Sequence, residues 1–190
     1  MRVTVVGSGD AFNAAGRLHS CYLVESAGAG LLMVDFGATA LAGLRRVGRR
    51  TSELDAVLIT HLHGDHIGGL PFLFVDAQFV DRRDRPLRLI GPVGLEARIR
   101  ALLLATYPSL VDRDGAPSLE VVELPPNTRQ RLGDLTVETF PADQIEDVAP
   151  VERDQRILTI SPPVPGKAGT DVFGQQTPGE AAPEPPMELL

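Results

Sequence analysis

Short apolar runs over residues 2–6, 21–25, 31–35 and 56–60 are separated by glycine-rich or polar turns, the pattern of β-strands. Between 35 and 54 the apolar positions 40, 41, 44 and 47 repeat at helical spacing with arginines on the opposite side, which predicts a short amphipathic helix over 39–47. The runs 67–80 and 95–111 predict two further helices, with a strand at 88–90 between them. Strands then return at 119–124 and 135–140. The turn dipeptide Gly133-Asp134 between them predicts a hairpin or two neighbouring sheet strands. Residues 156–161 form one more possible strand. Beyond Ser161 the composition shifts, and 7 of the 16 prolines fall in the last 30 residues. Such a segment buries too little to offset its ordering entropy, so a disordered tail over 161–190 is expected after a single domain over 1–160.

Composition narrows the class. With 190 residues, 43% hydrophobic and 23% charged, the chain has the balance of a soluble globular protein. The single cysteine, Cys21, rules out an intrachain disulfide framework and reads as buried strand packing. No apolar stretch approaches the roughly 18 residues of a membrane span and the opening run is too short for a signal peptide, so a cytoplasmic setting without membrane contact is expected. The formal net charge of −7 argues against binding nucleic acid through a broad basic surface. The arginine runs at 45–50 and 82–85 each offer a guanidinium fork for a phosphate, but solvated faces are the plainer expectation. Gly7-Ser8-Gly9 lacks the third glycine of a dinucleotide loop and is read as a strand-to-loop turn.

The chemistry lies in Thr60-His61-Leu62-His63-Gly64-Asp65-His66, where a buried strand ends and a helix begins. Neutral imidazole is a good transition-metal donor, and a carboxylate adds a harder oxygen ligand or a base. Two residues apart on extended chain, His61 and His63 project to one side and can grip one ion. Asp65 and His66 follow Gly64, whose freedom in φ would let the chain turn them toward a neighbouring position. Two adjacent metal positions are thus plausible. Gly68-Gly69 would allow tight packing of the next helix beneath the site. The fourth histidine, His19, reads as a surface or internally satisfied residue. Asp35, at a strand end, is either a partner for a metal-bound imidazole or a turn residue.

His61-x-His63-x-Asp65-His66, together with Val34-Asp35-Phe36-Gly37, the opening strand and Gly-x-Gly loop, and the segment from Arg17 to Ser20, resembles the metallo-β-lactamase-fold hydrolases. Within that superfamily the resemblance is nearest to the branch containing ribonuclease Z and related phosphodiesterases, and it covers residues 1 to about 148. It implies an α/β fold, the αββα sandwich, and two zinc ions. His61 and His63 would bind the first zinc, and Asp65 and His66 the second. Asp65 would also orient the bridging water that attacks an ester, thioester or phosphodiester, which makes it the implied catalytic residue. The metal motif is specific for the superfamily and says little about the substrate.

The second half departs from that pattern. Complete members of the superfamily supply further histidine and aspartate ligands, whereas none of the 124 residues after His66 is histidine. Asp143, Gln144 and Glu146 stand where the first of those ligands is expected, and Gly133-Asp134 lies too early and lacks the threonine of the bridging-aspartate turn. The expectation is therefore an N-terminal half with an incomplete second half, truncated or read in a shifted frame at its end. Two functions follow. One is a zinc-dependent hydrolase of a small ester or phosphodiester, with RNA possible but less favoured and the absent ligands supplied by another chain, as in a homo-oligomer. The other is a catalytically inactive remnant that binds metal weakly or acts only through protein association.

Overall fold

The computed structural model describes residues 1–111, 119–141, 158–161, 169–170 and 176–177. Six strands, β1 (Arg2–Gly7), β2 (Cys21–Ser26), β3 (Gly30–Val34), β4 (Ala56–Leu58), β5 (Leu87–Pro92) and β6 (Leu119–Leu124), form one sheet in sequence order. β1, β2 and β3 pair antiparallel, whereas β3 through β6 are parallel. Parallel strands need crossovers, and the helices provide them. They are α1 (Ala40–Arg46), α2 (Gly64–Ile67), α3 (Leu70–Val75), α4 (Leu95–Thr106) and α5 (Pro108–Val111).

The central strands are apolar at consecutive positions because both faces are covered. On one face Leu31, Met33, Val57 and Leu89 pack with Ala40 and Leu44 of α1, Leu70 and Leu73 of α3, and Leu95 and Ile99 of α4. On the other, Leu32, Val34, Leu58 and Ile90 meet Leu135 and Val137 of a second, three-stranded antiparallel sheet. That sheet comprises β7 (Arg129–Leu132), β8 (Leu135–Thr139) and β9 (Leu158–Ser161). Helix, sheet and sheet are thus three of the four layers of the expected sandwich. The described residues after 111 contain no helix.

Several elements differ from the sequence pattern. The expected helix over 67–80 breaks at Gly68-Gly69, and its last five residues widen into a π turn, Asp76–Val80. Pro108 splits the helix expected over 95–111. The hairpin at Gly133-Asp134 joins β7 to β8, while residues 119–124 lie in the other sheet alongside β5. Apolar content alone could not show this, since the polar-rich β7 carries the first arm of the turn. The tail expected over 161–190 falls mostly outside the described residues; within it, 169–170 and 176–177 pair antiparallel. Among the described residues no helix is long and apolar enough to cross a membrane.

Most of the arginines in the two runs are exposed, as expected of solvated faces, but several also latch neighbouring segments together. Arg45 reaches Asp76 at 2.7 Å, Arg50 reaches Asp81 at 3.2 Å, and the buried Arg83 donates to the carbonyls of Thr51, Leu54 and Pro86. Burial alone would raise the Asp81 carboxyl. Hydrogen bonds from Thr51 Oγ1 and the Ser52 amide, with the Arg45 charge, outweigh it and hold the group at about 2. A carboxyl depressed on folding contributes stability above its ordinary value of 3.8 and loses it as pH falls from there through about 2. Asp81→Asn should therefore remove about 2 kcal/mol of the acid-sensitive stability. Urea titrations of both chains at pH 6 and pH 2.5 check this: the gap between them should narrow to about a third at the lower pH.

Candidate metal centre

The motif sits at the carboxyl ends of β3 and β4, where loops leave a parallel sheet and ligand sites gather. β4 ends at Leu58, and the chain bends at Thr60 on its way to α2, which starts at Gly64. The turn is made at His63, extended at φ −73° and ψ 154°, whose carbonyl accepts the amides of His66 at 3.0 Å and Ile67 at 3.1 Å. Gly64 is not in the left-handed region, so the freedom in φ assigned to it from sequence is not what turns the chain.

Gly68 and Gly69 do pack tightly. A Cβ on Gly69 would overlap the Gly37 carbonyl, and one on Gly37 would overlap the Asp65 carbonyl oxygen. The Gly69 amide donates to Phe36 O at 2.9 Å and the Phe36 amide to His66 O at 2.7 Å. The loop after β3 is therefore laced, backbone to backbone, to the turn carrying the motif.

Asp35 organises the side chains, which settles its two readings in favour of a partner for imidazole. It is 3% exposed and holds a left-handed φ of 62°. Its Oδ1 accepts the Thr60 amide at 2.8 Å, and its Oδ2 lies 2.7 Å from His66 Nδ1. The Thr60 hydroxyl is 2.9 Å from both carboxylate oxygens and 3.0 Å from His61 Nδ1. A carboxylate only accepts, so the hydroxyl hydrogen goes to Asp35 and the imidazole hydrogen comes from His61 Nδ1. One buried carboxylate thereby assigns both tautomers, with Nδ1 of His61 and of His66 occupied and each Nε2 turned to other use. Thr60 was missed in the sequence, where it read only as the end of a strand.

The three imidazoles are neighbours. The His61 ring centroid lies 3.9 Å from that of His66 and 4.7 Å from that of His63. Burial, then the nearby His66, push the His61 imidazole down to about 4, so it is neutral at pH 7. Burial also works against the charged form of His66, but the hydrogen bond and charge of Asp35 outweigh it and raise that group. Asp65 turns toward His66, its Oδ2 lying 3.2 Å from Nε2. Among the described residues no three imidazole, thiolate or carboxylate groups converge on one point as an ion requires. The donor chemistry fits a borderline divalent cation: imidazole beside carboxylate, with two of the three histidines, His61 and His66, braced through Nδ1.

Other candidates resolve differently. Cys21 is fully buried, and its burial, reinforced by Asp35, pushes the thiol up to about 12, which leaves it inert. His19 is buried but not satisfied: its Nδ1 has no hydrogen-bond partner. Asp134 is committed to Ser26 Oγ, where the β7–β8 turn meets the β2–β3 turn. Asp143, Gln144 and Glu146 lie outside the described residues.

Comparison with known proteins adds the following. Residues 1–148 match the family model described as anti-Pycsar protein Apyc1. The chain is 40% identical over 91 residues to the anti-Pycsar protein Apyc1 of Paenibacillus sp. (strain J14), covering 48% of this chain and 36% of that protein. It is 33% identical over 105 residues to ribonuclease Z of Alkaliphilus oremlandii (strain OhILAs), covering 55% and 32%. The crystal structure of the metallo-β-lactamase-fold protein YhfI from Bacillus subtilis superposes with a TM-score of 0.53 at 25% identity, over 72% of this chain and 50% of that one. The chain thus spans about a third of the length of these curated relatives, and its fold is that of the metallo-β-lactamases.

Proposed function

Because this chain belongs to the anti-Pycsar protein Apyc1 family, within the metallo-β-lactamase fold and with ribonuclease Z among its relatives, we propose that it is the metal-binding half of a hydrolase that cleaves a phosphodiester. The observation that carries this reading is the Asp35–Thr60–His61 and Asp35–His66 network, which braces two imidazoles through Nδ1 and turns each Nε2 away from the brace, that of His66 toward the Asp65 carboxylate. His61, His63, Asp65 and His66 are the ligands in this reading, and zinc, one of the ions that imidazole and carboxylate hold well, is the metal. When bound, the metal supplies Lewis acidity and lowers the pKa of water near it. The residues of this chain hold His61 neutral, orient both braced rings, and place the Asp65 carboxylate beside His66, where it can accept a proton.

Ester substrates remain a coarser alternative. Among phosphodiesters, the net charge of −7 does not weigh against RNA, because ribonuclease Z relatives carry that activity in their name on the same architecture. The inactive remnant is the competing outcome, since no histidine follows His66 to complete a second metal position. Zinc content of the purified full chain and turnover of bis(p-nitrophenyl) phosphate separate the two. Stoichiometric zinc and turnover, both lost in His63→Ala, are the expected result. Sub-stoichiometric zinc without turnover would leave the remnant.

A further inference from the structure

His19 is 7% exposed, and its Nδ1 is a buried polar atom without a hydrogen-bond partner. A buried nitrogen left unpaired is costly, so its surroundings bear on what it is for. Its backbone is fixed: the amide donates to Thr39 Oγ1 at 2.8 Å, and the residue bridges to Gly9. The ring faces Gly37, where a Cβ would come within 2.7 Å of Nδ1 and overlap the main-chain carbonyl of Asp65. Imidazole nitrogen and carbonyl oxygen therefore flank one point with no side chain between them.

That carbonyl belongs to the peptide joining Asp65 to His66. The N–H of this peptide is already held by His63 O at 3.0 Å, and the Gly69 amide, the helical donor four residues on, is turned to Phe36 O. We propose that His19 is a positioning residue: with its hydrogen on Nδ1, it donates to the Asp65 carbonyl and clamps the Asp65–His66 peptide from its other side. A small rotation about χ2, a soft torsion in histidine, makes the bond. The consequence for metal affinity rests on the reading of Asp65 and His66 as ligands; the hydrogen bond does not.

Long-range 1H–15N spectra of the imidazoles in the full chain test the bond directly. A protonated Nδ1 on His19 is expected, and a hydrogen on Nε2 instead would overturn the proposal. Substitution gives the second arm. Asparagine places its amide nitrogen where Nδ1 stands, glutamine where Nε2 stands. Calorimetric titration with Zn2+ should give His19→Asn an affinity within about threefold of the parent, with His19→Gln and His19→Leu weakened about 10- to 100-fold. Rescue by glutamine but not asparagine would overturn it. If the parent chain binds no Zn2+, the metal reading fails by itself, and the His19 tautomer still decides this proposal.

Discussion

An alanine in place of Asp35 is expected to destabilise the chain by about 3–5 kcal/mol, and to weaken zinc binding about 10- to 100-fold in the molecules that remain folded. The side chain, itself buried, accepts from the Thr60 amide, the Thr60 hydroxyl and His66 Nδ1 within 2.7–2.9 Å. Truncation leaves those donors without an acceptor and a raised imidazole without its counter-charge. It also places alanine at φ 62°, a left-handed conformation that costs a residue with a Cβ about 1–2 kcal/mol. Two more variants separate the contributions. Asp35→Gly relieves the backbone and should recover about 1 kcal/mol while leaving zinc affinity as low as in alanine. Asp35→Asn keeps an acceptor for Thr60 but loses the charge facing His66, so its stability should fall between alanine and the parent. Urea unfolding and calorimetric zinc titration read both effects. A loss below about 1 kcal/mol in Asp35→Ala would mean that the carboxylate is not what holds the two rings.

The contrast between Asp35 and His19 shows what the sequence conveyed about this site. The cluster of His61, His63, Asp65 and His66 was legible as a set of candidate ligands because residues of that chemistry at fixed local spacing need no knowledge of the fold. Asp35 was legible only as an alternative, since its contact with His66 spans 31 residues and depends on β3 and β4 lying side by side in parallel. Thr60 and His19 were not legible in their roles. A threonine at the end of an apolar strand has ordinary β-propensity, and nothing local tells its hydroxyl to bridge a carboxylate and an imidazole. His19 approaches the motif through the absence of a side chain at Gly37, a negative feature that no residue pattern displays. In the fold, β3 and β4 were plain as strands from their apolar runs, whereas their parallel pairing was not legible. The second sheet was assigned wrongly in part, because 119–124 and 135–140 have similar composition and only the register shows that one pairs with β5 and the other with β7.

The glycines of the motif should behave in opposite ways, and the difference follows from what surrounds each backbone. Gly37→Ala would drive a methyl into the Asp65 carbonyl and to 2.7 Å from His19 Nδ1, and Gly69→Ala would drive one into the Gly37 carbonyl. Neither obstacle is the tip of a flexible side chain, so relief requires the loop after β3 to separate from α2, breaking the hydrogen bonds from Phe36 N to His66 O and from Gly69 N to Phe36 O. Each change is expected to cost about 3 kcal/mol or more, the upper end of the range for overpacking. Each should also abolish tight zinc binding, because the peptide that moves carries Asp65 and His66. Gly64→Ala meets nothing within 4 Å and occupies the first residue of α2 with a negative φ. It should raise stability by about 0.4–1 kcal/mol through the lower entropy of its unfolded chain, with zinc affinity unchanged. Thermal unfolding followed by circular dichroism, with parallel zinc titrations, compares the three. If Gly64→Ala lost zinc while Gly37→Ala kept it, the motif would be held by the freedom of its own glycine rather than by the close approach of the β3 loop.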